Sequence, residues 1–490
     1  MSSFRKRDSM GLYDECEPIP LPERFAQIKK KVSGHEGDLV QSWHRLLHAL
    51  RQEIDEIASR GSECIPTMGF RDRNDLAIVK SFSQDLRRRG IAVIRGVLSP
   101  EDARSLDQET HEYLAANPQS TGLPPDEPQL FDLYRSPAQV KARARPDVLE
   151  AQKFVMGTMW HSTNPCTPVS TEYPVTYADR LQIRGPPHRS TSSFSSSQNE
   201  TTLSAQVHVA DGSVERWEPE GYGRSGMYDA VFRGLWEDHD PWDYAPRHRA
   251  TTDLCHRVGA CSMFRMFHGW LCLSTDTDLH DENGQQPLPL LSVCPALKLT
   301  TAYFLLRPLF APSSLTTGCS NGWTRSPIHK TASSTAPCPA TRRSSPRRCV
   351  PTSSCTPQPR RRARAGPGRL AHLAPGRRPR ISRQQRPLPI PVAQAVVAGT
   401  HALFLTRQRK AFLLGLPGPD FESGRGERDH AGRPGVSEVN ESGGEDALRA
   451  MGLLPFEDPD AKTDAGREVA RIANALLFPH RFDMTCGRLY

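Results

Sequence analysis

The sequence predicts an α+β fold, a β-sandwich or jelly-roll core with flanking helices. Three observations point to it. Short apolar runs bounded by Gly- and Pro-rich turns recur through residues 76–310. Few long helical patterns separate those runs, which favours packed sheets over a helix bundle. Helical periodicity is concentrated towards the two ends of the chain.

Residues 1–75 form the N-terminal helical extension in this reading. Ser42 to Arg60 places Trp43, Leu46, Leu47, Leu50, Ile54 and Ile57 at helix spacing, and Gly61 is a natural stop. Arg51, Glu53, Asp55 and Glu56 lie on the charged face. Such a stripe suits packing, or contact with a second copy, better than catalysis.

Residues 76–310 carry the first part of the core. Ser81 to Arg88 accommodates a helical turn, and Gly90 to Leu98 is an apolar strand. A helix opens at Ser99-Pro-Glu-Asp102: Ser99 caps, Pro100 suits the first position, and both acids favour the positive dipole end. Strand-like runs follow at Val175–Ile183, Gln206–Val209, Ala260–Phe267 and Trp270–Leu273. The Ser/Thr tract from Ser190 to Thr202 interrupts them as a loop.

Charge divides the chain further. The formal net charge of +8 conceals an interval without any Asp or Glu, the 137 residues between Glu282 and Asp420. That interval holds 21 of the 63 Lys+Arg, so the remainder balances 42 bases against 55 acids. Within it, residues 311–393 contain only 9 Ile, Leu, Val or Phe in 83, and Trp323 is the sole aromatic. Too little apolar area is available there to offset chain entropy, so the segment is predicted disordered or misfolded. Three origins compete: a basic arm for nucleic acid or an acidic partner, a surface insertion without a role, or a shifted reading of a GC-rich coding region. Arg, Pro, Ala, Ser, Thr, Gly and Cys dominate while acids and aromatics vanish together, which favours the shifted frame. Residues 276–293 are a candidate for the same origin. Residues 394–490 then supply C-terminal helices at Ala402–Leu414, stopped by Gly415, and at Gly444–Met451 and Thr463–Phe478.

Several classes are excluded. The most apolar stretch, Leu299 to Leu306, is far shorter than the roughly 20 residues of a spanning helix. Met1–Glu15 is charged and lacks the apolar region of a secretory signal. Twelve cysteines without a C-x-x-C pair exclude a zinc ribbon and a redox dithiol, and a reduced cytoplasmic setting is expected. No aromatic platform or folded nucleic-acid motif accompanies the arginines, so nucleic acid is the weaker partner and a small molecule the stronger.

Several stretches carry a resemblance. They are Gly90–Asp102, Trp160-His-Ser162, Tyr177–Arg184, Gly212–Tyr222 with Ser213-Val-Glu-Arg-Trp217, Asp238-His-Asp-Pro-Trp242, Cys261–Phe267, Lys298–Phe304 and Gly432-Arg-Pro-Gly435. Together they resemble the domain-of-unknown-function 1479 family, which includes fungal N-acetylglucosamine-induced proteins. The resemblance covers most of 20–275, then about 294–310 and about 402–458. It implies a double-stranded β-helix core of the non-haem Fe(II)/2-oxoglutarate dioxygenase type acting on a small substrate.

Such a site needs two His and one carboxylate on one side of the iron. The resemblance makes His208 and Asp211 the metal-binding pair. Their spacing is one residue longer than His-x-Asp, and Ala210 stands where the carboxylate is expected. On a regular strand the two would face opposite sides, so a bulge or turn is required. The distal histidine should come from residues 311–393, where His372 is the candidate ahead of His329, with His401 just beyond. Arg184 is the candidate for the 2-oxoglutarate pocket, without a matching anchor motif. Arg216 and Trp217 are expected to frame the strand after the site. The metal triad is therefore incomplete, and a catalytically defective copy is one expectation.

Overall fold

The computed structural model describes residues 23–32, 34–123, 130–183, 212, 214–254, 256, 259–273, 293–312, 323–325, 390–395, 399–421, 425–457 and 463–481. Helices α1 (Arg24–Val32) and α2 (Glu36–Arg60) begin it. Leu39, Trp43 and Leu46 of α2 are buried as the periodicity requires, and Gly61 closes the helix at φ 57°. Ile54, expected on the same stripe, is instead 45% exposed. The charged face is only partly solvated. Glu53 is buried and pairs with Arg88 and Arg89, and Glu56 joins the same network.

Those arginines end α3 (Leu76–Arg89), a longer helix than the single turn expected. Asp75 starts it by accepting from the Ala77 and Ile78 N–H groups, and Gly90 stops it in the left-handed region. The strand expected over Gly90–Leu98 shrinks to β2 (Val93–Arg95), parallel to β1 (Thr67–Gly69). Helix α4 (Pro100–Ala116) opens as read: Ser99 Oγ accepts from the Asp102 N–H.

Two further helices occupy a stretch without a predicted element. They are α5 (Pro137–Ala144) and α6 (Pro146–Met159). Their signals are local: Ser136 and Gln139 form a capping box, and a proline begins each helix.

The strands are short. β3 (Gly122–Leu123), β4 (Leu130–Phe131) and β6 (Leu181–Gln182) form one antiparallel sheet. β5 (Val175–Thr176), β7 (Arg265–Leu271) and β10 (Ile390–Ala395) form another, with β10 in the middle. Val392 pairs with Gly269 and Ala393 with His268, and the register shifts between Ala393 and Ala395. β8 (Phe310–Pro312) pairs with β9 (Trp323–Arg325). The run predicted over Val175–Ile183 is thus split between two sheets, and those over Ala260–Phe267 and Trp270–Leu273 merge into β7.

The jelly roll is not seen in these strands. Among the described residues they form four separate sheets of two or three strands. Much of the intervening chain is helical, which hydrophobic runs of this length cannot distinguish from strand. Residues 311–393 are also not wholly irregular, since β9 and the start of β10 fall within them; residues 326–389 lie outside the described residues.

The remaining helices are α7 (Asp229–Phe232), α8 (Leu297–Leu306), α9 (Gly399–Leu414), α10 (Val436–Ala450, kinked at Gly444) and α11 (Asp464–Leu477). Gly415 ends α9 at φ 67°, and Thr463 caps α11 by accepting from the Gly466 N–H. One core gathers Tyr177, Phe404, Phe421, Val469 and Leu477 around β5 and α9. A second joins α2 to α8, where Trp43 stacks on Tyr303 and Phe310 at 5.4 and 4.7 Å. No described helix is long and apolar enough to cross a membrane.

Candidate functional site

Arg184, His208 and Asp211 lie outside the described residues, as do His329 and His372. The described residues next to Asp211 in the chain begin at Gly212. Gly212 follows Asp211 at φ 65°, and a Cβ there would stand 2.7 Å from the Tyr222 ring. Only glycine fits both the backbone and the space.

Val214–Arg216 is a 3-10 turn, not the strand expected after the site. Each side chain of that turn is engaged. Glu215 is buried and accepts from the Leu254 N–H at 3.2 Å. Arg216 donates to the Gly212 carbonyl at 3.2 Å, and Trp217 Nε1 donates to the Leu305 carbonyl at 3.1 Å. Gly221 packs so closely on the Glu215 carbonyl that a Cβ would collide. Arg216 and Trp217 are therefore structural, as read, but they clamp a turn.

The other sequence motifs meet across large separations. His161 of Trp160-His-Ser162 lies 3.0 Å from Asp240 of Asp238–Trp242, and the indoles of Trp160 and Trp242 pack edge to face at 5.4 Å. Both members of the His161–Asp240 pair are substantially exposed.

Tyr177, at the end of β5, donates to Asp420 Oδ2 at 2.7 Å. Ser262 binds the same carboxylate through its N–H at 3.1 Å and its hydroxyl at 2.6 Å, and the Arg265 guanidinium lies over the Tyr177 ring at 5.5 Å. Burial, with Cys261 and Asp420 nearby, pushes the Tyr177 phenol well above its ordinary pKa. It stays protonated and acts as a donor, which suits a structural latch and excludes a general base at neutral pH.

His401 is 2% exposed on α9, and its Nε2 accepts from the Phe264 N–H at 2.8 Å. Burial holds its pKa down at about 4. The ring is therefore neutral at physiological pH, with the Nε2 lone pair engaged by backbone. It cannot offer that nitrogen to iron without breaking the bond. No group of three or more His, Cys, Asp or Glu among the described residues could hold a metal ion. The described donor set therefore does not complete a facial triad.

Sequence reasoning missed the participation of Asp420 and of His401. Asp420 ends the acid-free interval, and His401 lies within it, in a helix rather than a strand. Neither belongs to a spaced motif, so only their distant partners, Tyr177 and Phe264, reveal their roles.

Comparison with known proteins places this framework. A solved structure of GlcNAc Inducible Gene 2, GIG2 (DUF1479), from Candida albicans matches with TM-score 0.67 at 21% identity, over 95% of this chain and 96% of that one. The structure named Putative Oxidoreductase from Salmonella typhimurium LT2 matches with TM-score 0.57 at 20% identity, over 87% of this chain and 96% of that one. At these identities the likeness concerns the fold. In sequence, the chain is 27% identical over 309 residues to the Uncharacterized protein YbiU of Escherichia coli K12, covering 60% of this chain and 68% of that protein. The Gig2-like family model matches residues 19–396, a span that includes the clamp, the β5–β10–β7 sheet and most of the acid-free interval. The chain belongs to the Gig2-like family.

Proposed function

We propose that this protein is built on the framework of an Fe(II)/2-oxoglutarate-dependent oxygenase acting on a small organic molecule, and that its metal triad is incomplete. The double-stranded β-helix, or jelly roll, belongs to this proposal. The carrying observation is positional. His208 and Asp211 stand directly before Gly212 and the pinned turn Val214–Trp217, in a chain matched by the Gig2-like family over residues 19–396. The name of the Salmonella neighbour, an oxidoreductase, supports the same reaction class.

In this reading His208 and Asp211 would hold iron, Arg184 would lie in the 2-oxoglutarate pocket, and a cytoplasmic small molecule would be the substrate. Iron would supply the oxygen chemistry. The lack of a third ligand among the described residues and the extra residue between His208 and Asp211 argue for weak metal binding and defective turnover. No reaction step is assigned through so incomplete a donor set. The segment 276–400 accounts for the deficit if its coding frame is shifted.

The test measures iron content and 2-oxoglutarate-dependent succinate release in wild type, His208→Ala and Ala210→Asp proteins. Weak iron uptake that His208→Ala abolishes and Ala210→Asp strengthens is the expected result. Iron uptake indifferent to both substitutions, with no succinate from any of them, overturns the reading. Sequencing the transcript across 276–400 decides the origin of the deficit.

A further inference from the structure

Burying a charge costs several kcal/mol unless a counter-charge or a full set of hydrogen bonds compensates. Arg135 and Arg143 are 3% and 4% exposed, and both line one cavity. Among the described residues, their side-chain hydrogen-bond partners are all carbonyl oxygens. Arg135 donates to Leu416 at 2.6 Å and Gln408 at 3.5 Å. Arg143 donates to Tyr134 at 2.6 Å and Asp179 at 3.2 Å. No carboxylate among the described residues forms an ion pair with either guanidinium. The Arg143 Nε is buried with no hydrogen-bond partner among the described residues.

The charges around the pair do not balance it. Glu427 is fully buried, but its Oε1 accepts the backbone N–H groups of Tyr134 and Arg135. It acts on the guanidinium of Arg135 through space only. Asp179 favours the charged form of Arg143, while Arg433 adds positive charge beside Arg135. Desolvation still prevails, and both arginines are pulled down to about 10. Two buried cations thus share this region with one fully buried carboxylate.

The cavity between them is walled by Val140, Thr176, Gln408 and Phe412. The Gln408 amide is already committed, donating to the Thr176 carbonyl at 2.7 Å and accepting from the Ala178 N–H at 3.0 Å, so that wall is fixed. Little free space remains among these side chains, room for a single small species.

We propose that this cavity, between α5, β5 and α9, binds one small monovalent anion of the halide class, with Arg135 and Arg143 as its counter-charges. The anion supplies the charge that the chain lacks and an acceptor for the Arg143 Nε. It also ties α5 to α9, so its occupancy stabilises the packing of the C-terminal helices on the core.

The test uses the full-length protein. Urea unfolding is followed as sodium chloride replaces sodium gluconate at constant ionic strength. Chloride at 100 times its Kd should raise the folding equilibrium constant roughly 100-fold. Arg143→Leu should lose that response. Should Arg143→Leu fail to fold, crystals of the wild-type protein grown in sodium bromide decide, through an anomalous peak between the two guanidinium groups. Identical unfolding curves in chloride and gluconate overturn the proposal. So does a cavity that holds water, with no bromide signal.

Discussion

Acidification should loosen this protein through His401, and the size of the effect follows from its surroundings. The imidazole is 2% exposed, and its Nε2 accepts from the Phe264 N–H at 2.8 Å. Protonating Nε2 would remove that acceptor and set two donors against each other inside the core. His248, itself held below its ordinary value by burial, adds repulsion once charged. The folded-state pKa is about 4, against 6.5 for an exposed histidine. The neutral ring therefore contributes stability that is present above pH 6.5 and is lost as pH falls towards 4. Linkage gives a loss of about 2 kcal/mol by pH 5 and about 3 kcal/mol by pH 4. His239, also lowered to about 4 by burial, adds a similar effect, so a difference measurement is needed. Gln at 401 retains an acceptor for the Phe264 N–H but does not titrate. Urea unfolding of wild type and His401→Gln at pH 7.5, 6.5, 5.5 and 5.0 gives two stability curves. They should converge by about 2 kcal/mol between pH 7.5 and 5.0. Parallel curves would refute the assignment of His401 as a buried neutral acceptor.

Three substitutions test the packing around this framework. Gly443→Ala puts a methyl group against the Ala144 carbonyl where α10 crosses α5, and should cost about 1–3 kcal/mol in urea unfolding; an unchanged midpoint would contradict that crossing. Asp420→Asn keeps the shape but replaces one of two acceptor oxygens facing three donors from Tyr177 and Ser262. A loss of about 1.5–3 kcal/mol is expected, and the Tyr177 phenol should titrate at lower pH in ultraviolet difference spectra. Trp43→Ala empties the fully buried site between Tyr303 and Phe310 and should cost about 3–5 kcal/mol. A loss below about 1 kcal/mol would mean that α2 does not pack there.

The sequence by itself determined the local punctuation of this chain. Ser99, Thr463, Gly61 and Gly415 cap or stop helices where their chemistry requires, because a cap depends on residues within one turn. The capping box at Ser136 is equally local, a Ser with a Gln three residues on and a proline between them. The motifs that led to the Gig2-like family were also readable along the chain, together with the pair His208 and Asp211 as candidates. Tertiary structure alone decided the rest. It turned Glu53 from a surface acid into a buried partner of Arg89, a residue 36 positions away. It brought β10 between β5 and β7, set Asp420 under Tyr177, engaged His401 with the Phe264 backbone, and buried Arg135 and Arg143 along one cavity. Burial and strand pairing are properties of groups distant along the chain. A residue's charge is written in its identity, but the cost of that charge depends on which surfaces fold over it.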